Sequence, residues 1–501
     1  MKTQKIALCG MAGVGKTIMM KQLKKAAKDR KLFDCILTVH VGEDADLMVV
    51  QQSVAEFIGE NLTETTKDTR TERLHRRFEK ISAEGNKRIL VILDDVWKKF
   101  HLDDIGLTHS LPNGFKLLLT TRDENVCTQM GVETSAIFKI DVLKDAEARK
   151  LFWETTGLVP DSDIEPDLHQ IGEDIVKRCG GLPIAITTIA SALRDNKEKD
   201  EWEDALSRLQ NKRVDGYNIK AIFEISYKNL KEDDLKAIFI LSGLFPEDYN
   251  IGKEDLLRYG WGLKLFQDVH TIAEARRRVN TCVNKLIRSN LLLKSDREGC
   301  VKMHDLVRDF VLSNFSNVKQ ASIVNHNSNV TEQLKEEDSY DRILLKCECM
   351  LELPVEFNHA NLELLKLTDG DKLLKFPKEF YSRIEKLKIV SYENMHRPLL
   401  PHNLTNLRAL SLRSCSLVED DISSIGDLVN LEVLSIVDCG IYKLPSRIGK
   451  LRKLKLLDLT GCANLCIDND VLQNLEKLEE LYMGVSKGST SRFTEVNCTT
   501  N

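Results

Sequence analysis

Eight residues near the start of the chain have the types and spacing needed to hold phosphate groups. Residues 10–17 read G-M-A-G-V-G-K-T, which fits the pattern G-x-x-x-x-G-K-[ST]. In such a loop the glycines let backbone N–H groups point at phosphate oxygens, the lysine reaches the β- and γ-phosphates, and the final hydroxyl binds Mg²⁺. A glycine-rich turn with a chance lysine is the alternative. The predicted nucleotide-binding residues here are Gly10, Met11, Ala12, Gly13, Val14, Gly15, Lys16, Thr17 and Ile18.

Two neighbouring carboxylates follow a second apolar run. Residues 88–97 read R-I-L-V-I-L-D-D-V-W, and a continuous apolar run is typical of a buried parallel strand. Carboxylates at the C-terminal end of such a strand face the crevice where open α/β sheets bind ligands. We predict that Asp94 and Thr17 bind Mg²⁺ and that Asp95 orients an attacking water. For Asp95 alone, a helix cap or an ordinary loop carboxylate remains an alternative.

A third run, at 115–121, ends at Arg122. An arginine at a strand end in this kind of site can contact a γ-phosphate. A surface ion pair is the alternative for Arg122. Asp94, Asp95 and Arg122 form the predicted catalytic set, whose chemistry is at most a slow ATP hydrolysis.

The elements that must position these groups are short apolar strands separated by helical stretches. Residues 6–9 precede the loop as a strand and residues 18–28 follow it as a helix. The repeated pattern predicts an α/β fold, the parallel sheet of P-loop NTPases with helices on both faces. Helical spacing over 145–209 predicts a small helical domain, and helices followed by a hairpin at 291–303 predict a winged helix.

Leucines recur at a fixed period in the last third of the chain. The pattern L-x-x-L-x-L begins at residues 407, 431, 454 and 478, which is the period of leucine-rich repeats. Each repeat supplies one short strand and must stack on its neighbours to bury its apolar face, so the pattern predicts a solenoid. Its other strand positions should be exposed on a concave, protein-binding face, although ordinary solvated surface is the alternative for any one of them. These positions include Ser411, Arg413, Ser435, Val437, Asp458 and Thr460.

Composition narrows the class of protein. The length of 501 residues suggests about three domains, and the formal net charge of −5 does not indicate a nucleic-acid or membrane-surface binder. The short basic run at 276–278 is typical of a solvated helix face, so we expect no direct nucleic-acid binding. The 13 cysteines are scattered and odd in number, which favours reduced thiols in the cytoplasm. We expect no transmembrane segment, because no apolar run approaches about 18 residues.

Six motifs in order resemble those of one family. The first three are the phosphate-binding loop, V-I-L-D-D-V-W and L-L-L-T-T-R-D. They are followed by G-G-L-P-I-A-I at 180–186, L-F-P-E-D-Y at 244–249 and V-K-M-H-D-L-V at 301–307. The chain resembles the nucleotide-binding leucine-rich-repeat receptors, the plant disease-resistance proteins. Trp97 after the aspartate pair resembles the subclass whose N-terminal domain is a coiled coil.

The resemblance implies an intracellular immune receptor that works as an ADP/ATP-gated switch with Mg²⁺. Pro183 would pack against adenine, and His304, supported by Asp305, would contact the β-phosphate of ADP. The repeats would hold the resting state closed and sense a pathogen effector or a guarded host protein. ATP would favour an open form that assembles as a homo-oligomer, and slow hydrolysis would reset it. The family's N-terminal signalling domain is expected to be missing from this chain.

The resemblance and the patterns together predict the domain boundaries. The alternative functions are a P-loop ATPase or motor with a repeat-type substrate adaptor, and a truncated binding protein that does not signal. The predicted segments are a nucleotide-binding domain at 1–142, a helical domain at 143–215, a winged-helix domain at 216–318, a linker at 319–341, leucine-rich repeats at 342–485 and a polar tail at 486–501.

Overall fold

The computed structural model divides into two compact units, Met1–Ile225 and Ser226–Asn501, and each is described by itself. The predicted polar tail at 486–501 and most of the predicted linker lie outside the described residues. The structure describes residues 4–42, 47–64, 66–83, 87–107, 111–159, 165–210, 219–247, 249–315, 318–322, 340–347, 350–353, 359–370, 372–377, 379–401, 404–417, 422–462 and 465–484.

The first unit is built on a five-stranded parallel sheet with the order β2-β3-β4-β1-β5. Residues alternate between its two faces, so that Val91 and Leu93 lie in one apolar cluster while Leu90 and Ile92 lie in the other. Burial on both sides explains why the third strand reads as a continuous apolar run. The strands are β1 (Lys5–Cys9), β2 (Cys35–Gly42), β3 (Ile89–Val96), β4 (Phe115–Thr121) and β5 (Ile137–Lys139).

Helices cover both faces of this sheet, as predicted. Met20 of the first helix packs in the cluster on one face, whereas Val54, Leu74 and Phe78 of the next two helices pack in the cluster on the other. The predicted P-loop NTPase sheet is thereby confirmed. These helices are α1 (Lys16–Asp29), α2 (Leu47–Ile58), α3 (Lys67–Ala83) and α4 (Glu124–Gln129).

A helical bundle completes the first unit. Its core contains Phe152, Trp153 and Trp202, with the two indole rings stacked at a centroid distance of 5.8 Å. The last helix crosses the boundary between the two units. The helices are α5 (Asp145–Thr156), α6 (Pro166–Arg178), α7 (Pro183–Ala192), α8 (Lys199–Gln210) and α9 (Ile219–Lys228).

The second unit starts with helices and a small antiparallel sheet of order β6-β8-β7. Strands β7 and β8 form the hairpin predicted at 291–303, and the Thr271 hydroxyl caps the longest of these helices by accepting the Glu274 N–H at 3.2 Å. The elements are α10 (Asp233–Ser242), β6 (Ile251–Gly252), α11 (Lys253–Gly262), α12 (Ile272–Arg288), β7 (Leu293–Lys294), β8 (Cys300–Lys302) and α13 (Asp305–Asn314).

Leucine-rich repeats form the rest of the second unit as an eight-stranded parallel sheet. Strand β9 pairs with β10, so the sheet begins before residue 342, where the repeats were predicted to start. The strands in chain order are β9 (Val318–Ser322), β10 (Arg342–Lys346), β11 (Leu364–Thr368), β12 (Ile389–Glu393), β13 (Ala409–Arg413), β14 (Val433–Val437), β16 (Leu456–Thr460) and β18 (Glu480–Gly484). A side pair, β15 (Lys443–Leu444) with β17 (Cys466–Ile467), and a short helix, α14 (Asn469–Gln473), lie among the later repeats.

Three of the six positions predicted to be exposed on the inner face of the repeat sheet are buried, so this part of the sequence-based prediction is wrong. Ser411, Ser435 and Asp458 are aligned across neighbouring strands and are 6%, 0% and 3% exposed. Helix α11 lies on this face, where its Arg258 pairs with Asp458. The remaining three predicted positions are half-buried, namely Arg413, Val437 and Thr460.

The contact between α11 and the repeats is rich in charge. Arg413 donates to Asp255 at 2.9 Å, and the Tyr259 hydroxyl donates to Ser391 at 2.8 Å. The Trp261 indole N–H donates to Glu432 at 2.7 Å. Together with Asp458, the partners Ser391, Arg413 and Glu432 come from four successive repeats, so the helix is held at several points along the sheet.

The basic run at 276–278 takes part in the same unit. Arg276 pairs with Glu254 at 2.8 Å and with Glu480 at 2.6 Å, and Arg278 lies 3.3 Å from Asp234. Two of the three arginines are therefore engaged with carboxylates of the chain itself. In the part of the chain that the structure describes, no helix has the length and apolar character required to cross a bilayer.

Candidate nucleotide-binding site

The loop between β1 and α1 has the backbone of a phosphate cradle. The Gly10 N–H donates to the Thr121 carbonyl of β4 at 3.2 Å, and a Cβ at Gly10 would lie 2.3 Å from the Ile140 carbonyl oxygen. Gly15, directly before α1, has a φ of 98°, which glycine adopts without steric cost. Helix α1 begins at Lys16, so the N–H groups of its first turn are available to an anion.

Lys16 lies inside this loop rather than on its surface. Its ammonium donates to the carbonyls of Gly10 at 2.7 Å and Met11 at 2.9 Å, and the residue is 8% exposed. Burial lowers the pKa of Lys16, and the nearby Arg122 guanidinium lowers it further. A cation that is buried beside a second cation is stabilised by an anion such as a phosphate.

Asp94 and Thr17 come together beside the loop. The Thr120 hydroxyl donates to Asp94 Oδ1 at 2.6 Å, the Thr17 hydroxyl lies 3.5 Å from the same oxygen, and His40 Nδ1 lies 4.0 Å from Oδ2. A hydroxyl and a carboxylate at this spacing fit Mg²⁺, which takes few protein ligands and keeps phosphate and water oxygens. Within the described residues, no group of three or more His, Cys, Asp or Glu side chains could hold a metal alone.

Asp95 occupies a strained position between Trp97 and Arg122. Its φ is 56°, and its N–H donates to the Thr120 hydroxyl at 2.8 Å. One carboxylate oxygen accepts the Trp97 indole N–H at 2.7 Å, and the other lies 3.6 Å from Arg122 Nε. The Arg122 guanidinium lies over the Trp97 ring, 3.9 Å from its centre.

The structure therefore brings Lys16, Thr17, Asp94, Asp95 and Arg122 to one edge of the first sheet. Of the other predicted loop residues, Met11 and Ile18 have exposed side chains, at 38% and 66%. Sequence reasoning overlooked Thr120, although a hydroxyl beside a strand-end carboxylate is a usable signal. Trp97 was predicted only to mark a subclass, whereas here it contacts Asp95 and Arg122.

Pro183 and Val14 link the loop to the helical bundle. Pro183 is the first residue of α7, a position that suits proline because the N–H there has no helical partner. Val14 belongs to the same apolar cluster as Leu182 of the bundle. The bundle is thus continuous with the phosphate loop, and the adenine contact of Pro183 stays a prediction.

His304 lies in the second unit at the N-terminus of α13. Its Nδ1 accepts the Leu306 N–H at 3.2 Å and so caps the helix, and in a neutral ring the proton is then on Nε2. Asp305 lies in the first turn of α13, where a negative carboxylate interacts favourably with the helix dipole. The structural role of His304 is therefore a cap, and its contact with ADP stays a prediction.

Comparisons with known proteins agree with this geometry. A sequence model of the NB-ARC domain matches residues 1–159, and one of a leucine-rich repeat region matches residues 386–498. Disease resistance protein At4g27190 of Arabidopsis thaliana is 32% identical over 506 residues, covering 96% of this chain and 50% of that protein. The chain belongs to the nucleotide-binding leucine-rich-repeat family of plant disease-resistance proteins.

A second relative matches over a similar length. Disease resistance protein RFL1 of Arabidopsis thaliana is 28% identical, covering 90% of the chain and 54% of that protein. The chain thus spans about half the length of the curated relatives it matches. Among solved structures, the ORC2 protein of Aeropyrum pernix is 13% identical in sequence. The match covers 62% of this chain and 88% of the ORC2 chain, with a TM-score of 0.30.

Proposed function

We propose that this chain is the nucleotide-gated switch core of an intracellular immune receptor in plant defence against pathogens. The convergence of Lys16, Thr17, Asp94 and Arg122 at one sheet edge is the observation that carries the proposal. Two cations, a hydroxyl and a buried carboxylate are the groups that a magnesium-bound nucleoside di- or triphosphate requires.

ADP and ATP would differ in how much of this site they use. Both present a β-phosphate to the loop and to Lys16, whereas only ATP offers a γ-phosphate to Arg122. A ligand shifts a two-state equilibrium only by its differential affinity for the two states. The γ-phosphate therefore supplies the difference on which the switch depends. Pro183 and His304 would hold adenine and the β-phosphate of ADP in the resting state.

The second unit supplies the proposed regulatory half. The repeats are packed on helix α11 through Arg258, Asp458 and Asp255, all nearly fully buried, so this part is held in one arrangement. We propose that it maintains the resting state and senses a pathogen effector or a guarded host protein. ATP would favour a homo-oligomer, and slow hydrolysis through Asp94, Asp95 and Arg122 would restore the ADP form.

The first test measures the nucleotide that copurifies with the protein. Lys16→Ala removes the buried ammonium and should reduce bound ADP to a small fraction of the wild-type amount, measured by mass spectrometry of the denatured protein. Lys25→Ala is the matched control, because Lys25 is an exposed lysine of the same helix α1. Equal ADP content in the two variants would refute the assignment of the phosphate site. Turnover of many ATP molecules per second would refute the switch and favour the ATPase or motor.

A further inference from the structure

Trp97, Asp95 and Arg122 form a closed arrangement in which each side chain contacts the other two. The indole N–H is bonded to one oxygen of Asp95, the second oxygen faces Arg122 Nε, and the guanidinium covers the indole ring. All three side chains are half-buried. In such surroundings a guanidinium over an indole face is attracted by the ring quadrupole as well as by the carboxylate.

The backbone supports this arrangement at a cost. Asp95 has a left-handed conformation that a non-glycine residue seldom adopts, with a φ of 56°. The Thr120 hydroxyl holds it there by accepting the Asp95 N–H and donating to Asp94. Strain that the surroundings maintain is typical of functional sites. The conformation turns the Asp95 carboxylate towards Trp97 and Arg122.

The arrangement places Arg122 near Lys16. The guanidinium contributes to the lowered pKa of the Lys16 ammonium, second only to burial, so the two cations act on each other across the site. Like charges held together destabilise a site until an anion lies between them. Asp95 and Trp97 offset part of this repulsion through their contacts with the guanidinium.

We propose that Trp97 is a positioning residue, which holds Arg122 in place for the terminal phosphate of ATP and thereby sets the preference of the site between ATP and ADP. This inference rests on the proposed function, since it concerns the same nucleotide site. Trp97 acts through Arg122 and Asp95. Its loss therefore weakens the contact that only the triphosphate makes and leaves the contacts of the diphosphate with Lys16 intact.

The test compares the binding of two nucleotides by calorimetry in the presence of Mg²⁺, using ADP and a non-hydrolysable ATP analogue. Trp97→Leu removes both the ring and its N–H and should raise the Kd of the analogue about five- to tenfold, with the Kd of ADP unchanged, given the usual strength of a cation–π contact. Trp97→Phe keeps a ring for the guanidinium but no donor for Asp95, and should have an intermediate effect. Phe138→Leu is the matched control, because Phe138 is an exposed aromatic residue of the same sheet.

Three outcomes are distinguishable. A selective loss of affinity for the analogue, graded from wild type through Phe to Leu, supports the positioning role. Equal losses for both nucleotides, or no loss in either variant, overturn it, because a merely structural tryptophan would not separate the two ligands. Wild-type protein that binds neither nucleotide overturns the proposed function itself.

Discussion

The buried ion pair between Arg258 and Asp458 provides the sharpest test of how the repeats hold helix α11. Their side chains are 5% and 4% exposed, and Asp458 also accepts the N–H and hydroxyl of Thr460 through its other oxygen, at 3.1 and 2.7 Å. Asp458→Asn removes the charge and retains the size of the side chain. It also leaves an amide oxygen available to Thr460.

The expected magnitude follows from the contacts that remain. Removing one partner of a buried ion pair costs about 3–5 kcal/mol, because the other charge is left buried. Asp255 stays 3.5 Å from Arg258 Nη1, so the cost should be near the lower limit. About 3 kcal/mol corresponds to about a hundredfold change in the opening equilibrium, since each 1.4 kcal/mol is tenfold.

Hydrogen exchange followed by mass spectrometry measures this opening in the full chain, without assuming that the whole protein unfolds in one step. Peptides covering α11 and the strands β13 to β16 should lose about two orders of magnitude of protection in Asp458→Asn, while peptides of the first unit should not change. Asp427→Asn is the matched control, because Asp427 forms an exposed ion pair with Arg447 at 3.5 Å. Exposed pairs contribute at most about 1 kcal/mol.

Equal exchange rates over α11 in Asp458→Asn and Asp427→Asn would show that the buried ion pair does not hold the helix. A second variant separates charge from packing. Arg258→Met combined with Asp458→Asn removes both charges, nearly keeps the side-chain volumes and leaves Thr460 its acceptor, and should recover most of the lost protection. If the double variant is as unprotected as the single one, the shape of the side chains rather than their charge holds the helix on the sheet.

Two further predictions concern pH and the phosphate loop. Burial alone would raise the pKa of Asp255, but Arg413, Lys366 and Arg258 outweigh it and lower the pKa from the ordinary 3.8. The contribution to folding is therefore complete above the ordinary pKa of 3.8 and is lost as the pH falls through the lowered pKa. The melting temperature of the second unit should accordingly fall as the pH drops below 3.8, and should fall less in Asp255→Asn. In the loop, Gly10→Ala places a methyl group 2.3 Å from the Ile140 carbonyl and should abolish nucleotide retention, whereas Gly440→Ala, in open space, should leave retention unchanged.

The first unit could be predicted from the sequence because its signals are local. Continuous apolar runs gave β1, β3 and β4, and the carboxyl ends of parallel strands meet at one edge of a sheet, which brings Lys16, Asp94 and Arg122 together. The contacts of Trp97 and Thr120 could not be predicted. They depend on the pairing of β3 with β4, where Leu93 lies opposite Leu119, and on the unusual backbone of Asp95.

In the repeat domain, the sequence predicted the apolar core but not the first strand or the covered polar positions. The period of its leucines predicted the inward-facing positions, since each repeat needs them to stack. Strand β9 at 318–322 carries no leucine pattern, so only its pairing with β10 reveals it. The burial of Ser411, Ser435 and Asp458 was also unpredictable, because a small polar residue suits both a solvated strand and one covered by a helix.

Small residues explain how α11 lies so close to the inner strands. A Cβ at Gly262 would lie 2.6 Å from Cγ1 of Ile389 and 3.2 Å from Cβ of Ala409, while Ser411 and Ser435 leave room further along the same face. A partner that bound these strands would need the surface that α11 covers, so the two contacts exclude each other. Within the proposed function, a partner that shifts this equilibrium from 1:99 to 99:1 must favour the open form by about 5.5 kcal/mol. Asp458→Asn alone would supply more than half of that difference, and so should make the inner face markedly easier to occupy.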